Sequence, residues 1–232
     1  MGHPDDDPTT GLARSWEANA DAWTRAVREG RIESRRVATD DAILRAILDR
    51  APRRVLDVGC GEGWLCRALA EHGIDAIGVD GSAPLIRAAR ARGGRFHVCS
   101  YEDLLRDPEQ LGVDEFGVIV FNFALLHEDI APLLQAVRPA LRYDDGVLII
   151  QTVHPWIARG DGPYADGWRT ERFAAFGDEF PQPMPWYYRT VGSWIAAVNA
   201  AGYLIGELRE PAHPETSDPL SLLLIARPAD RA

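Results

Sequence analysis

Between Arg54 and Val153 the chain alternates short, largely apolar runs, of which Phe116–Phe121 is apolar throughout, with segments of helical periodicity, and no other feature restricts its fold as much. Arg54–Val58, Ala76–Val79, Phe96–Cys99, Phe116–Phe121 and Gly146–Val153 predict strands. Trp64–Glu71 (closed by Gly73), Ala83–Arg92 (closed by Gly93-Gly94) and Ile130–Leu141 predict the helices between them. Strands apolar throughout need cover on both faces, the condition of a parallel sheet flanked by helices. The alternation with short loops predicts a doubly wound α/β sheet.

Both ends extend this pattern. Leu12–Gly30 predicts a helix with Trp16, Ala20, Trp23 and Val27 on one face, and Ser34–Asp49 a second helix ended by Pro52. Beyond the insert, Val191–Ala201 predicts a helix, and Tyr203–Leu208 and Leu220–Ala226 two strands. Their connection is too short for a helical crossover, so the pair is expected to be antiparallel. The organisation expected is a tail over 1–10 and a single domain over 11–232, with a helical cap over 11–50 and an insert, or lid, over 154–189. That insert, rich in Gly, Pro and aromatic residues, is longer than an ordinary connector.

Composition excludes some classes. The chain has 232 residues, 46% of them hydrophobic, which supports a packed core, and its net charge of -10 opposes binding to nucleic acid. Cys60, Cys66 and Cys99 form no metal-ligand spacing, so no metal is expected, and reduced thiols in a cytoplasmic protein are the simplest reading. The N-terminal residues have no signal-peptide pattern, and no apolar run is long enough for a membrane span.

The chemistry is concentrated in Val55-Leu56-Asp57-Val58-Gly59-Cys60-Gly61-Glu62-Gly63, at the first strand-to-helix turn. Glycines here let the backbone turn sharply and approach a ligand, and the helix that follows offers free N–H groups. Asp80 stands at the end of the next strand, where an acid can take both hydroxyls of a ribose. A dinucleotide fingerprint would need its third glycine at Trp64. The acid followed by G-x-G-x-G instead resembles the first motif of class I S-adenosylmethionine-dependent methyltransferases. Gly78-Val79-Asp80 with Ser82 resembles their second motif, and Phe116–Val120 followed by Asn122 their fourth, with Gly117 where an Asp is usual.

The resemblance, which covers about residues 40–152, implies a Rossmann-like seven-stranded sheet, mostly parallel with an antiparallel terminal strand. It implies S-adenosylmethionine as cofactor and S-adenosylhomocysteine as product. The backbone of Gly59, Cys60, Gly61 and Gly63 would then pass the methionine portion, Asp57 receive its ammonium directly or through water, and Asp80 hold the ribose hydroxyls, with Gly81 also in the cofactor site. Ser82, Ser100, Tyr101 and Glu102 would border the adenine, Ser100 standing where the family often has Asp. Asn122 and Phe123 would flank the methyl group. Plain structural roles stand beside these: Asp57 and Ser82 can cap helices, and Phe123 can be core.

The acceptor is expected outside the strand ends, between Trp16 and Trp23, His127, and the insert residues Trp156, Trp186 and Tyr188. His154 is the candidate proton acceptor, with a structural histidine as the alternative. Packing or orienting is the reading favoured for His127. The function expected is methyl transfer to a planar or apolar small molecule, at O or N rather than C, by a monomer or homodimer. The alternatives are a protein methyltransferase and a non-catalytic cofactor-binding module.

Overall fold

The computed structural model describes residues 7–111 and 115–231. Its centre is a seven-stranded sheet of β1 (Arg54–Val58), β2 (Asp75–Asp80), β3 (Arg95–Val98), β4 (Val118–Asn122), β5 (Val147–Val153), β8 (Tyr203–Arg209) and β9 (Ser221–Pro228). The order across it is β3-β2-β1-β4-β5-β9-β8. β1 to β5 pair in parallel, and β9, last in sequence, runs antiparallel between β5 and β8. The expected seven-stranded sheet is thus present. Its strand order reverses between β1 and β4, which opens a crevice at their C-terminal ends, the place where open α/β sheets receive ligands.

Helices α4 (Trp64–Glu71), α5 (Ala83–Arg90), α6 (Tyr101–Arg106), α7 (Ala131–Val137) and α9 (Val191–Ala200), with α3 (Asp40–Leu48), cover the sheet. One core lies between the sheet and the α6, α7 and α9 side, where Leu104, Leu134 and Val198 meet Ile119, Phe121 and Leu224. The other lies beneath α3 and α4, where Ile43, Ile47, Leu65 and Leu69 meet Val118, Val120 and Ile149. No helix among the described residues is long and apolar enough to cross a membrane.

The N-terminal region departs from expectation. Met1 to Asp6 of the expected tail lie outside the described residues, but Pro8, Thr9 and Thr10 belong to a helix. It is α1 (Pro8–Ala18), capped by the Asp7 carboxylate on the N–H groups of Thr9 and Thr10, with Pro8 at its first position. The predicted single helix over 12–30 is divided at Asn19 into α1 and α2 (Ala20–Arg28). The reason lies far away in sequence. Asn19 is buried, and its amide donates to the Gln182 carbonyl (2.6 Å) and accepts from the Gln182 N–H (3.1 Å). A wider π-type turn at Arg35–Thr39 precedes α3.

The insert is more ordered than a loop. After the short α8 (Pro155–Ala158), β6 (Gly167–Glu171) pairs antiparallel with β7 (Met184–Tyr188) as a separate ribbon. Leu12, Ala22 and Ala26 of the N-terminal helices share a cluster with Phe173, Phe180 and Met184 of the insert. This cluster is shared by both segments, and they roof the sheet together.

Glu62 ties this roof to the sheet. Its buried carboxylate accepts from Arg28 Nε (2.8 Å) on α2 and from Arg67 (2.6 Å) on α4. Both arginines are under a quarter exposed, so screening is weak. Glu62→Ala leaves two half-buried cations facing each other, and is expected to lower stability by about 2–3 kcal/mol. Urea unfolding measures this. A change below about 0.5 kcal/mol would place the roof's anchor elsewhere.

Candidate active site

The crevice at the strand ends opens into a cavity of about 740 Å³. Its floor comes from the loops after β1 (Gly59, Cys60, Gly61), β2 (Asp80, Gly81, Ser82), β4 (Asn122, Phe123) and β5 (Thr152, Val153), with Asp57 of β1. Its roof comes from Trp16 and Trp23 of the N-terminal helices and from Phe173, Phe176, Met184 and Trp186 of the insert.

The glycine loop is tied to β2 from both sides. Gly59 and Cys60 donate to the Val79 carbonyl (2.8 and 3.0 Å). Asp80 accepts from the Gly61 N–H at 2.9 Å through one oxygen and from the Ser82 N–H at 2.8 Å through the other. Each carboxylate oxygen keeps a further lone pair for a ligand hydroxyl. Gly61 has φ +56°, and a Cβ built there would find nothing within 4 Å, so its missing side chain leaves space at the cavity wall.

Gly63, expected beside the cofactor, has another role. It does not line the cavity, and a Cβ there would lie 2.4 Å from the Phe96 ring. Its absent side chain makes room for packing between α4 and β3. Ser82 and Ser100 line the cavity and also cap helices, Ser82 that of α5 and Ser100 that of α6 in a reciprocal box with Asp103. Tyr101 and Glu102 complete this edge, and the Tyr101 hydroxyl donates to the Ala124 carbonyl (3.0 Å). Burial first, then Asp80 and Asp57, push that hydroxyl far above its ordinary range, so it stays protonated.

Asp57 is buried, and its Oδ1 has no hydrogen-bond partner. Burial first, then the Asp80 charge, raise its pKa to about 7, with smaller opposing effects from Cys66 and Arg35. Burial also raises Asp80, against the N–H groups of Ser82 and Gly61. An unpaired, buried acceptor beside a second carboxylate is a place for a cation. Phe123 has φ +56°, a left-handed conformation costly for a bulky side chain, held by its N–H on the Gln151 carbonyl (2.7 Å). Gln151 also donates to Asn122 Oδ1 (2.9 Å).

Of the residues expected around the acceptor, Trp16, Trp23, His127 and Trp186 line the cavity, and Trp156, Tyr188 and His154 do not. His154 is buried away from the cavity: Nδ1 accepts from the Trp156 N–H (3.2 Å) as the cap of α8, and Nε2 lies 2.9 Å from Glu210. With both ring nitrogens engaged, it has no lone pair for an acceptor there. Trp156 is 54% exposed, under the Arg159 guanidinium on the outer face. Tyr188 is fully buried, with its hydroxyl on the Pro155 carbonyl (2.8 Å) and Arg169 over its ring. Phe173, Phe176 and Met184 were missed, because nothing local distinguishes them within a Gly- and Pro-rich segment.

The strand order β3-β2-β1-β4-β5-β9-β8 with antiparallel β9 next to β5, over a glycine loop and a strand-end acid, fits the class I methyltransferase fold. The sequence matches the family described as methyltransferase domain over residues 31–204. The chain belongs to that family, the class I S-adenosylmethionine-dependent methyltransferase domains. Its solved neighbours include an S-adenosylmethionine-dependent methyltransferase from Mesorhizobium loti, 26% identical, with a TM-score of 0.60 over 80% of this chain and 96% of that one. A second is the 1,6-didemethyltoxoflavin N1-methyltransferase of Burkholderia thailandensis, solved with 1,6-didemethyltoxoflavin and S-adenosylhomocysteine. It is 22% identical, with a TM-score of 0.62 over 99% of this chain and 94% of that one. Among curated proteins, a ubiquinone biosynthesis O-methyltransferase from Rhodopseudomonas palustris is 25% identical over 61% of this chain and 51% of its own length. The chain spans about half the length of such relatives.

Proposed function

We propose that this chain transfers a methyl group from S-adenosylmethionine to an oxygen or nitrogen of a planar, largely apolar small molecule. The observation that carries this is the single cavity joining the Asp57 and Asp80 end to a roof of tryptophan and phenylalanine side chains. Its volume lies within the roughly 300–1,000 Å³ of small-molecule sites. The relative's name specifies O-methylation and the fold neighbour's N1-methylation, so the atom methylated is left as O or N.

In this reading Asp80 binds the ribose hydroxyls beside Gly81. Asp57 receives the cofactor's ammonium, and Gly59, Cys60 and Gly61 pass its methionine portion. Ser82, Ser100, Tyr101 and Glu102 border the adenine, and Asn122 with the constrained Phe123 flanks the sulfonium. Methyl transfer is an in-line displacement: the acceptor's lone pair attacks the methyl carbon, and the C–S pair stays on sulfur. The protein's part is to align the two and keep water out. Trp16, Trp23 and Trp186 act as the walls of the acceptor pocket, and the insert acts as its lid. Incubation with methyl-labelled cofactor and a metabolite extract, read by mass spectrometry, tests the reading. Label in planar aromatic metabolites is expected, and label only in protein would overturn it.

Asp57 adds a pH dependence. Its folded pKa of about 7 stands above the ordinary 3.8, so the protonated form favours folding. That contribution to the cofactor-free protein is full below pH about 4 and is lost as pH rises through about 7. Binding an ammonium requires the ionised form. Affinity for S-adenosylhomocysteine is therefore expected to increase between pH about 6 and about 8, and Asp57→Asn to flatten that increase. Calorimetry across the range decides it, and an unchanged slope in the variant would place the ammonium elsewhere.

A further inference from the structure

His127 has no task in the reading above. It follows β4 and lines the cavity. Nδ1 is closed off from solvent and has no hydrogen-bond partner. Among the described residues Nε2 has no protein partner either, and it is not closed off, so the Nε2 edge is the one the cavity reaches. The segment is held from behind. The Tyr187 N–H donates to the Leu126 carbonyl (2.8 Å), and the Arg189 guanidinium donates to the carbonyls of His127 and Glu128. Tyr101 packs against the ring with centroids 5.3 Å apart, and its hydroxyl is committed to Ala124.

This burial selects a tautomer. A buried N–H without an acceptor is costlier than a buried lone pair without a donor. Nδ1 therefore bears the lone pair and Nε2 the hydrogen. The charged and titratable groups around the ring are Glu102, Asp7, Arg189 and Tyr101. Burial first, with Arg189 adding to it, lowers the imidazole pKa against the opposing carboxylates Glu102 and Asp7, which keeps the ring neutral.

We infer that His127 is a hydrogen-bond donor to the methyl acceptor and not its base, and that the acceptors it selects are planar phenols and enols that react as their anions. This rests on the function proposed above. The acceptor O–H releases its proton to bulk water, and the oxyanion binds against Nε2–H. Its lone pair then attacks the methyl carbon, the C–S bond breaks, and its electron pair remains on sulfur to give S-adenosylhomocysteine. His127 neither gains nor loses a proton. The hydrogen bond weakens the nucleophile somewhat, but ionisation gains more than nucleophilicity loses when the Brønsted slope is below one. The net effect is acceleration at pH values well below the acceptor's own pKa, where the acceptor is mostly protonated.

The experiment uses ¹⁵N-histidine-labelled protein saturated with S-adenosylhomocysteine, with 4-nitrophenol as the acceptor probe. Long-range ¹H–¹⁵N spectra, assigned by comparison with His127→Gln, are expected to show His127 as the neutral Nε2–H tautomer at neutral pH. An Nδ1–H tautomer or an imidazolium would overturn the proposal, and this reading needs no variant to fold beyond the assignment control. Titration of bound 4-nitrophenol by its absorbance is expected to show its ionisation midpoint lowered by about one pH unit. His127→Gln, which keeps an N–H donor, should retain the shift, and His127→Leu should abolish it. A midpoint that rises, a shift that survives in His127→Leu, or no binding at millimolar 4-nitrophenol would each reject the donor role. Calorimetry with S-adenosylhomocysteine separates the two readings: if it binds, such a result overturns the role of His127 alone, and if it does not bind, both readings are lost.

Discussion

Gly61→Val is expected to abolish measurable binding of S-adenosylhomocysteine, at least a hundredfold in affinity, while leaving a folded protein. A Cβ at this position meets no atom within 4 Å, so the new side chain enters the cavity rather than the core. The space it fills is that proposed for the methionine portion of the cofactor. The φ of +56° adds strain of about 1–2 kcal/mol, too little to unfold a domain of ordinary stability. Calorimetry and circular dichroism together separate the two effects. A variant that binds normally would show that the cofactor does not pass Gly61.

Asp80→Ala is expected to weaken the cofactor by about 1.5–3 kcal/mol, roughly 10- to 150-fold. Two losses combine. The carboxylate is the proposed partner of both ribose hydroxyls, and it also fixes the Gly61 and Ser82 N–H groups at 2.9 and 2.8 Å. Asp80→Asn separates them, because an amide oxygen can still accept one of these backbone donors while the charge is gone. Affinities are compared by calorimetry. Equal binding by wild type and Asp80→Ala would rule out the ribose contact.

The sheet and its binding edge were legible because their determinants are local. β1, β2, β4 and β5 are short, mainly apolar runs, and the loop from Gly59 to Gly63 announces a sharp turn at a strand end. The roof was legible only in outline. Trp16, Trp23 and Trp186 reach the cavity, but the break at Asn19 depends on the backbone of Gln182, 163 positions away, and no local pattern encodes it. His154 lies away from the cavity for a related reason. Its place after β5 suggested the site, whereas His154-Pro155 is also a helix cap followed by proline at the first position, and Glu210 takes the remaining ring nitrogen. Tyr188 and Trp156 show that aromatic content alone does not say which face of an insert a ring occupies: one is sealed beneath Arg169, the other sits outside with Arg159. Gly63 belongs to the motif by spacing, but Phe96 is what requires it.

The cavity between the glycine loop and the aromatic roof is the proposed site of S-adenosylmethionine-dependent methyl transfer. Titration calorimetry of the purified chain with S-adenosylhomocysteine tests it most directly. Binding at a single site with micromolar affinity is expected, accompanied by a thermal shift, with no comparable binding of NADH. No heat and no thermal shift at millimolar S-adenosylhomocysteine would contradict it.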